Sequence, residues 1–130
     1  MIRRFLYCLL QGEAFSPTLA VARTGLPLVD GNEPGQVAPS GRYAGKALSY
    51  GSALLPLLDD DVAPGASVRG PLRELKAALP TLRALGATEA TLSLLVAYEG
   101  PCHFALSPEE LAELAALGLP LEVSCHPGAA

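Results

Sequence analysis

The chain has 130 residues, 50% of them hydrophobic, enough for one core that needs neither metal nor disulfide to hold it. A charged fraction of 17% and a mean hydropathy of +0.33 exclude a disordered tail or polar linker. No apolar run reaches the roughly 18 to 20 residues of a membrane span, and a net charge of −4 offers a nucleic-acid phosphate backbone little.

Arg3-Arg4 before the apolar stretch Phe5 to Leu10 resembles the front of an export signal. That stretch ends at Gln11-Gly12-Glu13, short of an h-region of roughly 7 to 15 residues, and no small-residue cleavage site follows. Residues 2–11 read instead as a first strand. Leu6, Cys8 and Leu10 alternate with Phe5, Tyr7 and Leu9, so both sides are apolar and a central strand covered on both faces is expected. Without export, Cys8, Cys102 and Cys125 are expected as thiols in a reducing compartment, the cytoplasm, and their odd number argues against a disulfide framework.

Ser16-Pro17 opens a short helix, with Ser as N-cap and Pro where a missing N–H costs nothing; Gly25 closes it, and Leu19, Ala22 and Leu26 form the expected buried side. From Val29 to Lys46 apolar spacing disappears among Gly, Pro, Asn, Asp and Ser, the mark of a long loop that is either functional or mobile. Ala47 to Leu58 reads as a second strand. A helix follows from Pro71 with Leu72, Leu75, Leu79, Leu82 and Leu85 in one stripe, Gly86 as its stop and a kink or break at Pro80.

Thr91 to Tyr98 is a clear strand, and the turn Glu99-Gly100-Pro101 predicts a hairpin partner over Cys102 to Leu106. Ser107-Pro108-Glu109-Glu110 is a capping box, and Gly118 ends that helix. Leu119, Leu121, Val123 and Cys125 alternate with Pro120, Glu122, Ser124 and His126, a last strand with one wet face and Cys125 inward, like Cys8. The run Ala14-Phe15-Ser16-Pro17 to Gly25-Leu26-Pro27-Leu28 has an echo in Ala105-Leu106-Ser107-Pro108 to Gly118-Leu119-Pro120-Leu121, read either as shared helix punctuation or as a duplication. These elements define one α+β domain, a mixed or antiparallel sheet of about five strands with three helices mainly on one face. The last six match a ferredoxin-like β-α-β-β-α-β unit, with an extra strand and helix at the N-terminal side.

Ser16-Pro17, Glu33-Pro34-Gly35-Gln36, Ser49-Tyr50-Gly51-Ser52 and the run from Phe104 through Ser107-Pro108-Glu109-Glu110-Leu111, Leu114, Leu117-Gly118, Leu121 and Val123 carry a resemblance. Over nearly its whole length the chain resembles a family of short bacterial proteins catalogued only as a domain of unknown function. The resemblance implies a bacterial single-domain α+β protein with no established activity.

Cys102-His103 and Cys125-His126 are the candidate metal ligands. Adjacent strand residues point to opposite faces, so each pair offers one member to a given site, and the spacing suits no zinc ribbon or finger. A cysteine–histidine nucleophile would need an oxyanion loop and an orienting third residue, and no such motif is present. Asp59-Asp60-Asp61 lacks the spacing and turn glycine of a calcium loop. The loop glycines form no G-x-G-x-x-G or Walker pattern, so no cofactor is expected. What remains is Arg42, Tyr43, Lys46 and Tyr50, a basic and aromatic group suited to another protein. The expectation is a non-catalytic binding module, the protective partner of a toxin or an adaptor, acting through a sheet edge and the 30–46 loop. The alternative is a small enzyme or ligand-binding protein using that loop with Tyr50 and His103 or His126.

Overall fold

The structure, a computed structural model, describes residues 1–128. Its elements run β1 (Ile2–Gly12), α1 (Pro17–Thr24), β2 (Val29–Asn32), β3 (Gly51–Asp59), α2 (Arg69–Ala84), β4 (Glu89–Tyr98), α3 (Pro108–Ala116) and β5 (Leu121–Pro127). The strands form one mixed sheet in the order β2-β3-β1-β4-β5. β2 is antiparallel to β3, and β5 is parallel to β4. Asp60 N donates to Arg4 O at 3.0 Å and Glu99 N to Met1 O at 2.9 Å. The start of β1 thus lies against the ends of β3 and β4, which makes it antiparallel to both.

The fold is α+β with five strands and three helices. The ferredoxin-like order β-α-β-β-α-β is present, but it runs from β1 to β4, and the added helix and strand follow it as α3 and β5 rather than precede it. Two local differences produce the shift. β4 already has β1 on one side and β5 on the other, so no edge is left for a hairpin partner and residues 102–106 form no strand. β2 lies inside the expected loop; it is four residues long, its register slips between Val29 and Asn32, and Asp30 has φ 50°, so no alternation marks it.

Burial alternates along the long strands. Leu6, Cys8, Leu10 and Gly12 of β1 are buried, while Phe5, Tyr7 and Leu9 are only half-buried, so of the two faces expected to be covered one is fully buried and the other is not. Ala53, Leu55 and Leu57 of β3 and Leu92, Leu94 and Val96 of β4 continue the buried side.

The chain divides into two compact units. The first takes Met1–Cys8, Pro56–Ala77 and the chain from Thr91; its core is Leu6, Cys8, Leu57, Val68, Leu72, Leu75, Leu92, Leu94, Val96 and Leu117. The second takes Leu9–Leu55 and Ala78–Ala90, with Leu10, Phe15, Ala20, Leu26, Leu55, Leu79 and Leu82 inside. There the backbones meet so closely that a Cβ on Gly12 would lie 1.7 Å from the Gly86 carbonyl oxygen, and one on Gly51 1.7 Å from that of Phe15.

The helix ends are local and match their sequence signals. Ser16 Oγ accepts from Leu19 N, and Gly25 closes α1 at φ 71°. Ser107 and Glu110 complete the capping box of α3. Within α1, Ala20 is the buried residue while Leu19 and Ala22 face outward; eight residues offer one contact point, and the small side chain takes it. In α2 the leucine stripe is buried at Leu72, Leu75, Leu79 and Leu82. The helix runs unbroken through Pro80, because both Pro80 and Lys76, whose carbonyl loses its donor, are exposed to water.

Gly12→Ala is expected to cost about 3 kcal/mol, since backbone must move to admit the methyl group, and Ser107→Ala about 1 kcal/mol through one lost cap. Urea unfolding of both variants measures this; a cost for Gly12→Ala no larger than for the cap would mean that the strand end and Gly86 are not packed together.

Candidate functional site

The segment from Glu33 to Tyr50 is an ordered excursion rather than a slack loop. Gly35 N donates to Leu48 O, Leu48 N to Gln36 O and Ala38 N to Lys46 O, so its two limbs are tied by main-chain bonds of 2.6 to 3.0 Å. Val37 and Ala47 form an antiparallel bridge, and Ala38 is the buried anchor below the tip. At the tip Lys46 N donates to Tyr43 O, and Gly41 and Gly45 take φ 81° and 80°, which tightens the turn. Arg42, Tyr43 and Lys46 are all exposed there, with 51% of Tyr43 open to solvent.

Tyr50, at the foot of the excursion, differs from these three in burial. It is half-buried, its carbonyl accepts from Asn32 Nδ2 at 2.8 Å, and it borders an open cavity of about 560 Å³ with Gln11, Glu13, Thr88 and Glu89. The acidic rim of this cavity has no sequence signature, because Glu13 and Glu89 come from separate strand ends and share no motif. A second cavity of about 590 Å³ is lined by Arg3, Arg4, Asp60, His103 and Phe104. Here the Arg4 guanidinium lies 5.4 Å from the Phe104 ring centre, in the range of cation–π attraction.

The aspartate run is occupied by arginines and its own turn. Asp60 Oδ2 accepts from Arg4 N at 2.8 Å and Arg4 Nε at 3.2 Å, Asp61 pairs with Arg3 at 3.3 Å, and Asp59 accepts from Asp61 N at 2.9 Å. This uses the carboxylates to close the end of β3 onto the start of β1. The described residues hold no group of three or more His, Cys, Asp or Glu side chains placed to share a metal ion. Cys102 and His103 lie exposed in the segment before α3, and Cys125 and His126 lie on β5.

Cys8 is fully buried, as alternation predicts, but Cys125 is exposed, and this corrects the inward placement. Its register opposite Val96 does put it on the same side of the sheet as the core. Every residue of β5 is nonetheless exposed, so that side is wet there. Burial pushes the Cys8 thiol up to about 12, against a lowering from its backbone hydrogen bond with Thr91.

A long-range cap joins the base of the excursion to α1. Glu33 accepts from Ser16 Oγ, from Thr18 N at 3.1 Å and from Thr18 Oγ1 at 3.2 Å. Burial works to raise the Glu33 carboxyl, but the bonds from Ser16 and Thr18 outweigh it and hold it below the ordinary carboxylate value. The Glu110 carboxyl is also held low, chiefly by the Ser107 backbone bond, against a raising by burial.

No family model, no curated protein and no solved structure matches the chain. Among the described residues no helix is long and apolar enough to cross a membrane.

A thiol reagent is expected to modify Cys102 and Cys125 in the native protein and Cys8 only after unfolding; mass spectrometry of the labelled peptides reads this, and rapid native labelling of Cys8 would contradict its burial. Because the folded Glu33 carboxyl binds its proton less readily than the unfolded one, its stabilisation is present above pH 4.5 and lost as pH falls below it. Glu33→Gln should therefore flatten the acid limb of a stability–pH curve, and an unchanged slope would show that the cap does not titrate.

Proposed function

We propose that this chain is a non-catalytic binding module that docks another protein through the tip carrying Arg42, Tyr43 and Lys46. The observation that supports it most is the pairing of exposure with order. An arginine and a tyrosine, types enriched at interfaces, stand open to water beside a lysine on backbone fixed by main-chain bonds. A preformed tip loses little conformational freedom on docking, which a mobile loop of the same composition would lose. On a chain of net charge −4 the tip is locally cationic and aromatic, which suits an acidic patch beside an apolar one on the partner. A toxin's protective partner and an adaptor both act in this way. Three cysteines outside any disulfide suit a reducing, cytoplasmic setting.

The enzymatic alternative needs a phenol and an imidazole converging in one cavity. Tyr50 borders one cavity, His103 lines another, and His126 stands on β5, which weighs against it. The resemblance to the bacterial family of unknown function accords with the binding reading, since Ser16, Ser107, Leu117 and their neighbours are caps and core that set the fold rather than chemistry.

Replacing Arg42 and Tyr43 by alanine should leave the melting temperature within about 2 °C, as exposed substitutions do, and reduce capture of a native partner from lysate at least tenfold. A large fall in melting temperature would show the tip to be scaffold; undiminished capture would move the contact elsewhere.

A further inference from the structure

β5 is an edge strand whose outer side is self-complementary, and we propose that it pairs with β5 of a second copy of this chain, antiparallel about a two-fold axis at Ser124. β5 pairs with β4 in parallel, from Leu92 opposite Leu121 to Tyr98 opposite Pro127. Leu92 N donates to Pro120 O, and Gly128 N to Tyr98 O. The main-chain groups of the even-numbered residues therefore face β4, and those of Leu121, Val123, Cys125 and Pro127 face outward from the end of the sheet. Every residue of β5 is exposed, Leu121 by 41% and Val123 by 55%.

An antiparallel second copy centred on Ser124 sets Val123 opposite Cys125, Glu122 opposite His126 and Leu121 opposite Pro127. The parity fits, because outward-facing residues then meet only outward-facing residues. Val123 and Cys125 exchange both hydrogen bonds. The Pro127 carbonyl meets the Leu121 N–H, and the missing N–H of Pro127 ends the ladder there.

Charge complementarity selects this register among those the parity allows. Glu122 and His126 fall at the closely spaced, non-hydrogen-bonded positions, where opposed backbones stand about 4.5 Å apart and side chains interact most. Each carboxylate then faces an imidazole that donates to it, and the pair occurs on both sides of the axis. A slip of the register in one direction sets Val123 against itself and Glu122 against Ser124. A slip in the other direction sets Cys125 against itself and His126 against Ser124. Either slip breaks the Glu122–His126 pair. A seven-residue edge covers less than the roughly 1,600 Å² of a standard interface, so the dimer is a weak one, with a dissociation constant on the order of tens of micromolar.

Sedimentation of the full chain over a concentration series is expected to show a reversible monomer–dimer equilibrium. Glu122→Lys should weaken it about tenfold by facing His126 with a cation, His126→Glu should weaken it similarly by facing two carboxylates, and the double exchange should restore it. With Cys102 and Cys125 replaced by serine, Ser124→Cys should form an intermolecular disulfide under mild oxidant, while Leu121→Cys, opposite Pro127, should cross-link far more slowly. The Arg42→Ala/Tyr43→Ala chain should dimerise like the parent, so this proposal and the docking role of the tip fail independently. A chain that stays monomeric at every soluble concentration, or a dimer indifferent to the charge exchanges, would overturn the proposal. Equal cross-linking at positions 121 and 124 would overturn it as well.

Discussion

A dry stripe runs along one side of β1 through Leu6, Cys8 and Leu10, and keeping it dry constrains much of the rest of the molecule. Each buried leucine is worth roughly 1.5 to 3 kcal/mol relative to exposure, more than any single polar contact on the surface. The leucines of α2 recur at helical spacing because the helix keeps one side out of water along its length. The end of β1 carries Gly12 because a side chain there would meet Gly86, and β3 begins with Gly51 because Phe15 passes just as close. The opposite face holds Phe5 and Tyr7, rings 5.0 Å apart, and is only half-hidden. With the hydrophobic requirement met on one face, the rest of the surface is left to polar anchoring.

Those polar anchors differ in weight. Arg4–Asp60 combines a charge-assisted main-chain bond with side chains only 20% and 12% exposed, so removing either partner strands a largely desolvated charge. Arg73–Glu113, at 2.8 Å, links α2 to α3, but Arg73 is 60% exposed and such a pair contributes at most about 1 kcal/mol. α3 itself buries no residue, and its main apolar anchor is Leu117 just past its end. The C-terminal addition of α3 and β5 is therefore tied to the rest more by the β4 ladder and the ion pairs of Glu113 than by a core of its own. That explains why Val123 and Cys125 remain wet although they continue the sheet's inner side.

The parts legible in the sequence were those decided by neighbours along the chain. Ser16-Pro17, Ser107 with Glu110, the αL glycines and the leucine stripe of α2 are each settled within a turn or two of helix. Alternation also gave the correct face for Cys8 and Cys125. Alternation does not report whether that face is covered, because cover depends on contacts outside the strand, and Cys125 is exposed on it. The strand expected at 102–106 failed for a related reason: its local turn was sound, but β5 had taken the edge it required. At the candidate site, the exposure of Arg42, Tyr43 and Lys46 followed from composition. The bond from Asn32 to the Tyr50 carbonyl, and the reach of Glu33 to the start of α1, join residues distant in sequence and are invisible to a local reading.

The two edges of the sheet show how this separation of core and surface bears on association. An uncovered edge invites another strand, and proteins blunt such edges by shortening or distorting them. β2 has both features: four residues, a slipped register and a left-handed Asp30 leave no regular row of donors and acceptors. β5 has neither. It keeps unbroken register with β4 over seven residues, and no charged side chain points to its inner side. Pro127 interrupts it only at the last position, where it limits the length of any added ladder without preventing one. A fold that disrupts one edge and leaves the other regular is open to strand addition at β5 alone, and the spacing of Glu122 and His126 about Ser124 makes this strand a fit for its own copy.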